Sequence, residues 1–268
     1  MAGGKVSVRQ KMINMMYLVL TALLALNVSA EILKSFHMVE ISMDRAGMNI
    51  DKKNEGTLTA IAKYNKDIPT DPKGVEVLKK SLEVKKIADA GVAYFAELKE
   101  QLITTAGGRK DGNPENEIAQ ASNIELHANL MMNQGKGAEV KAKINEIRTN
   151  LLNILPKDKQ SSIKSDLTTE DPKNSTKSWE SEMFEHTPLA AVVALISKTQ
   201  NDIKNTEAQV LDELKSSLTA EVMIIDQLTP QIIPVNGTNI TVGNKYQAEI
   251  FLAASSSRSE ATITVNGS

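Results

Sequence analysis

Arg9, Gln10, Asn14, Tyr17 and Thr21 are the residues whose types and spacing best suit chemistry in this chain. On a helix turning about 100° per residue, Gln10, Asn14, Tyr17 and Thr21 fall at i, i+4, i+7 and i+11 and form one polar stripe. Arg9, Ile13, Met16, Leu20 and Asn27 lie on the neighbouring face. These residues sit in or beside a run, 12–30, that carries no formal charge. Such a run spans roughly 29 Å at about 1.5 Å per residue, close to the hydrocarbon core of a bilayer. Polar side chains in hydrocarbon are costly unless they face other helices. The pattern therefore predicts a transmembrane helix enclosed by protein on at least two faces, with Gln10, Asn14, Tyr17, Thr21 and Asn27 as intramembrane polar contacts. Two readings of Arg9 stay open. It either snorkels to the headgroups or pairs with a carboxylate on a partner's membrane helix, favouring the ionised form of a group that exchanges protons.

The element that positions these residues is a single N-terminal helix. Lys5, Arg9 and Lys11 precede the uncharged run, so the positive-inside rule keeps the N-terminus cytoplasmic and exports the rest. A cleaved signal peptide is the competing reading, with Val28-Ser29-Ala30 as a small-residue cleavage site. Against it, the apolar run exceeds the usual signal core, and neither Gly nor Pro occurs between Gly4 and Gly47. Ile32, Leu33, Phe36, Val39 and Met43 carry the helical spacing straight on beyond the bilayer.

The exported part divides by texture. Residues 37–225 read as an all-α helical bundle and 226–268 as the start of an all-β, sandwich-like domain. One helix opens at Asp71-Pro72 and runs to 107. A second is expected from Asn113-Pro114 to about 135, since Asn suits the N-cap and Pro the first helical position. Others are expected at 137–155 and 159–167. From Thr187-Pro188 onward, Leu189, Val193, Ile196, Ile203, Val210 and Leu214 follow a heptad-like seam that Gln200 and Glu207 interrupt. Such a stripe is a coiled-coil contact between protomers or core packing within an antiparallel bundle. QIIPV, TNITV, YQAEIFLAA and EATITV then read as strands, with turns at Asn236-Gly237 and Gly243-Asn244. The chain stops at a turn sequence after a strand, so a longer β-domain is expected.

Much chemistry is excluded. There is no Cys, hence no disulfide, thiolate metal site or thiol nucleophile. A net charge of −2 and 3% aromatics leave no case for nucleic acid or base stacking. His37, His127 and His186 are scattered without metal-ligand spacing. Gly107-Gly108 and Gly135-Lys136-Gly137 do not follow apolar strands and match no phosphate-binding fingerprint. Glu180, Glu182 and Glu185 read as a solvated helix face and Trp179 as a packing anchor. No enzyme activity and no cofactor is expected.

The opening MAGGKVSVRQKMINMMYLVLTALLALNVSAEILKSF resembles the start of GldM/PorM proteins, with their GGK, RQKMIN, MYLV and ALLALN elements in order through Phe36. That resemblance implies a single-span inner-membrane subunit of the gliding-motility and type IX secretion motor of Bacteroidetes. It implies a homodimer inside a ring of two-span GldL/PorL subunits, driven by the proton motive force. It also implies periplasmic domains that pass motion to the outer-membrane-associated GldK/GldN ring. Arg9 would be the arginine that meets the ring's membrane glutamate, and Tyr17 the family's tyrosine. Over 37–268 the likeness is one of architecture only. The alternative function is a membrane-anchored periplasmic sensory or scaffold protein with a helical binding domain.

Overall fold

The computed structural model describes residues 7–26, 30–113, 115–173, 176–222, 227–235, 243, 245 and 247–255. Helix α1 spans Val8–Leu26 and α2 spans Ala30–Asp67. Helix α3 spans Pro72–Thr105 and is opened by Asp71, whose carboxylate accepts from the Lys73 amide at 3.0 Å, with Pro72 at the first helical position. The short α4, Leu126–Ala128, passes into a π-helical turn, Asn129–Asn133. Helices α5, Lys136–Asn153, α6, Lys157–Gln160, α7, Trp179–Phe184, and α8, Leu189–Val222, complete the bundle. Strands β1, Gln227–Pro234, and β2, Ala248–Ser255, pair antiparallel with Gln231 opposite Phe251.

Helix α8 is the axis of the bundle. Leu189, Val192, Val193, Ile203, Val210 and Leu211 are wholly buried, against α2, α3 and α5. Each such side chain withdrawn from water contributes about 1.5–3 kcal/mol before the entropy of ordering it. The apolar seam read on 189–214 is thus spent as core packing within the chain, not as a contact between protomers. Along α2 the buried positions Glu40, Gly47, Asn54 and Ile61 recur seven apart, and Gly47 and Asn54 among them meet α8. Gly47 lets the two helices approach closely, because a Cβ there would lie 2.6 Å from Asn201 Oδ1.

Two expectations need correction. No helix runs from 113 to 135. Asp111 and Gly112, both at positive φ, turn the chain back so that Arg109 bridges to Ile118. The Asn113 side chain accepts from the Glu115 amide at 2.9 Å, closing a turn instead of starting a helix. The expected helix 159–167 is only the four-residue α6. The Lys164 backbone is captured by Gln209, whose amide accepts from Lys164 N at 2.8 Å and donates to Lys164 O at 2.9 Å. Separately, no helix among the described residues is long and apolar enough to cross a membrane. Helix α1 includes Arg9, Gln10 and Lys11, and the described part of the uncharged run 12–30 is 12–26. The expected span also takes in residues 27–29, which lie outside the described residues. So do the strands TNITV and EATITV and both turns of the β-segment, apart from Gly243.

Candidate functional site

Helix α1 begins at Ser7, whose hydroxyl accepts from the Gln10 amide at 3.2 Å. Gln10 Nε2 then donates to Asn14 Oδ1 at 3.2 Å, so two members of the polar stripe are joined along the helix. Tyr17 continues the line and is 71% exposed, and the Thr21 backbone follows one turn later. Arg9 is exposed on the adjacent face. Asn27 lies outside the described residues. Met12, Met15, Met16, Leu18, Val19 and Leu20 are exposed on the remaining faces. A helix apolar on most of its circumference is stable only when lipid or other protein covers it.

The bundle holds two buried ionic centres that spacing did not reveal. In the first, Glu40 is 2% exposed and receives Arg109 Nη2 at 2.5 Å and Lys99 Nζ at 2.9 Å. Lys99 also reaches Asp44 at 2.9 Å and Ser197 Oγ at 2.9 Å. Arg109 donates to the Asn116 carbonyl at 2.9 Å, and His37 Nε2 donates to the Glu115 carbonyl at 2.9 Å. The Glu40 carboxylate therefore ties α2 to α3 and the 107–118 loop, and Lys99 extends the network to α8. Burial alone would raise the Glu40 carboxyl, but hydrogen bonds from Arg109 and the charge of Lys99 outweigh it and hold the group below its ordinary value.

The second centre lies two heptads further along α2. Asn54 Nδ2 donates to Glu207 Oε2 at 2.9 Å and to the Lys204 carbonyl at 3.0 Å. Burial pushes the Glu207 carboxyl up to about 7, against the lowering effect of the Asn54 hydrogen bond. Around it, Lys204 pairs with Asp51 at 2.6 Å and Asn201 Nδ2 donates to the Met43 carbonyl at 2.8 Å. Gln200 donates to the Val92 carbonyl of α3 at 3.1 Å. The two residues that interrupt the α8 seam, Gln200 and Glu207, are thus its polar ties to α3 and α2. That interruption was the available signal.

A cavity of about 910 Å³ opens beside the π-helical turn, lined in part by Gln101, Leu126, His127, Asn133, Glu185 and His186. His127 is fully buried and its Nε2 donates to the Phe184 carbonyl at 3.1 Å; burial lowers its pKa. Glu180 pairs with Lys141 at 3.5 Å, and Glu185 accepts from the Ser181 hydroxyl and pairs with Lys177. These contacts make them structural acids of the surface. Trp179 is buried edge-on to Phe184 with ring centroids 5.8 Å apart, as a packing anchor. Among the described residues no group of three or more His, Asp or Glu is placed to hold a metal ion.

Comparison with known protein families matches residues 31–217 to the GldM N-terminal domain and residues 219–268 to the GldM second domain. The junction falls within the last turns of α8. No curated protein matches the chain.

Proposed function

The chain belongs to the GldM family, and from that premise we propose that it is the single-span subunit of an inner-membrane rotary motor driven by the proton motive force. Family membership carries a role in gliding motility and type IX secretion. In the proposed motor the N-terminus is cytoplasmic, the uncharged run 12–30 crosses the membrane, and residues after about 36 are periplasmic. Two copies sit inside a ring of GldL/PorL-like two-span subunits. The helical domain and the β-domains after it carry motion to a GldK/GldN-like ring at the outer membrane. A charge carried through the membrane field gains about 2.3 kcal/mol per 100 mV. Two inner helices cannot satisfy every carboxylate of a larger ring at once, and that mismatch gives the rotation its direction.

The observation that carries this reading is α1. It is apolar on most faces, carries the Gln10–Asn14 amide pair, and has Arg9 one turn before its apolar body. The cavity beside the π-helical turn favours the second reading, a periplasmic sensor or scaffold that binds a ligand. The two separate in a strain lacking this chain. Type IX secretion and gliding are expected to stop and to return on re-expression, whereas normal secretion without the chain would reject the motor. Topology is tested alongside. The chain has no Cys, so a single cysteine reports alone. A thiol reagent that does not cross the inner membrane is expected to label Asp67→Cys and not Ala2→Cys. Loss of residues 1–30 from the mature protein would contradict the span.

A further inference from the structure

The contact of α2 with α8 contains a polar group that the rest of the bundle leaves unsatisfied. Both N–H bonds of Asn54 are used, one on Glu207 and one on the Lys204 carbonyl. Its Oδ1 is buried and has no hydrogen-bond partner among the described residues. A buried carbonyl acceptor without a donor is costly, and a carboxylate beside it cannot help, because an ionised acid only accepts. An un-ionised acid can. A carboxylic acid and a primary amide close a ring of two hydrogen bonds, the amide N–H to the acid carbonyl and the acid O–H to the amide carbonyl. A partly open cavity of about 420 Å³ reaches both residues from solvent, so protons have access.

We propose that Glu207 and Asn54 form a proton-binding site that fastens α8 to α2 when Glu207 is protonated and loosens that contact when it is ionised. The charged groups facing the site come from three helices. Asp51 and Glu55 stand on α2, Lys85 and Asp89 on α3, and Lys204 on α8. Lys204 is committed to Asp51 and Lys85 to Asp89 at 3.0 Å, so neither cation is reserved for Glu207. Burial accordingly dominates and carries the carboxyl up to about 7 from an ordinary 4.5. The folded chain then holds a proton that the unfolded chain has released. The stabilisation is complete below the ordinary value and is lost as pH rises through about 7. A modest change of external pH near neutrality would switch the stiffness of this helix pair.

The test is a carbon-detected titration of the full chain in detergent with its glutamate carboxyls isotopically labelled. One resonance is expected to titrate within about a unit of 7 and to be missing from Glu207→Gln. The thermal midpoint of the wild type should fall from pH 6 to pH 8 by more than that of Glu207→Gln, whose amide cannot ionise. A Glu207 titration near 4.5, or equal falls in the two proteins, overturns the proposal. If Glu207→Gln does not fold, a wild-type spectrum with no glutamate midpoint above 6 overturns it by itself.

Discussion

Replacing Arg9 with alanine is expected to cut type IX secretion and gliding by at least tenfold while the subunit still inserts and assembles. No Asp or Glu precedes Glu31, so α1 cannot neutralise Arg9 internally. Among the described residues no carboxylate pairs with it, and its side chain is exposed. Entering a protein-lined site in the membrane costs it hydration, on the order of 2.5–3.5 kcal/mol at the bilayer centre and less towards the ends. A carboxylate on a neighbouring helix offsets that loss, and the guanidinium can hold it with two parallel hydrogen bonds. Lys11 lies about 160° further round the helix and cannot take its place. Lys11→Ala is therefore expected to be mild, and Arg9→Lys to keep part of the activity because it retains charge without the fork. The assay is secretion and motility at matched expression. Full activity of Arg9→Ala would leave Arg9 as a topogenic charge at the headgroups.

The largest expected loss of stability comes from Glu40→Ala. That change leaves Arg109 and Lys99, each with 14% of its side chain exposed, without the carboxylate they share. Removing one partner of a buried ion pair typically costs about 3–5 kcal/mol, a large share of the 5–15 kcal/mol that holds a domain together. Denaturant unfolding should show a midpoint well below that of the wild type with an unchanged slope. Glu40→Gln, which keeps some hydrogen bonds, should lose less. The pH dependence has a definite sign. The Glu40 carboxyl lies below its ordinary 4.5 in the folded chain, so its contribution is present above that value and is lost as pH falls through the folded one. Glu207 acts in the opposite sense, gaining as pH falls through about 7. Unfolding curves of both variants between pH 3 and 8 separate the two. An acid response in Glu40→Gln equal to that of the wild type would remove Glu40 from this role.

What the sequence made legible was local. Asp71-Pro72 caps α3 as its residue types require, and Thr187-Pro188 opens a helix whose apolar seam is buried. The illegible parts depend on partners far along the chain. Helix α2 was readable only to Met43, because beyond it the positions facing α8 are Gly47, Asn54 and Thr57, which no apolar pattern reveals. Their meaning comes from Asn201, Glu207 and Asp212, more than a hundred residues away. Nothing near Lys164 in the sequence shows that Gln209 binds its backbone and ends the helix early. Asn113-Pro114 carried a true turn signal, but the positive-φ pair Asp111 and Gly112 had already reversed the chain. Nothing beside Glu40 in the sequence signals its burial, because Lys99 and Arg109 reach it from α3 and the loop that follows. On α1 the polar stripe was legible, and two of its members, Gln10 and Asn14, touch.

The most direct measurement of the central claim is the composition of the complex isolated through this chain from native membranes in mild detergent. Two copies of the chain are expected, held by a larger number of copies of one two-span protein whose membrane helix carries an acidic residue. Arg9→Ala should retain that composition while losing function. A chain recovered as a monomer, or without any multi-copy two-span partner, would contradict the motor reading.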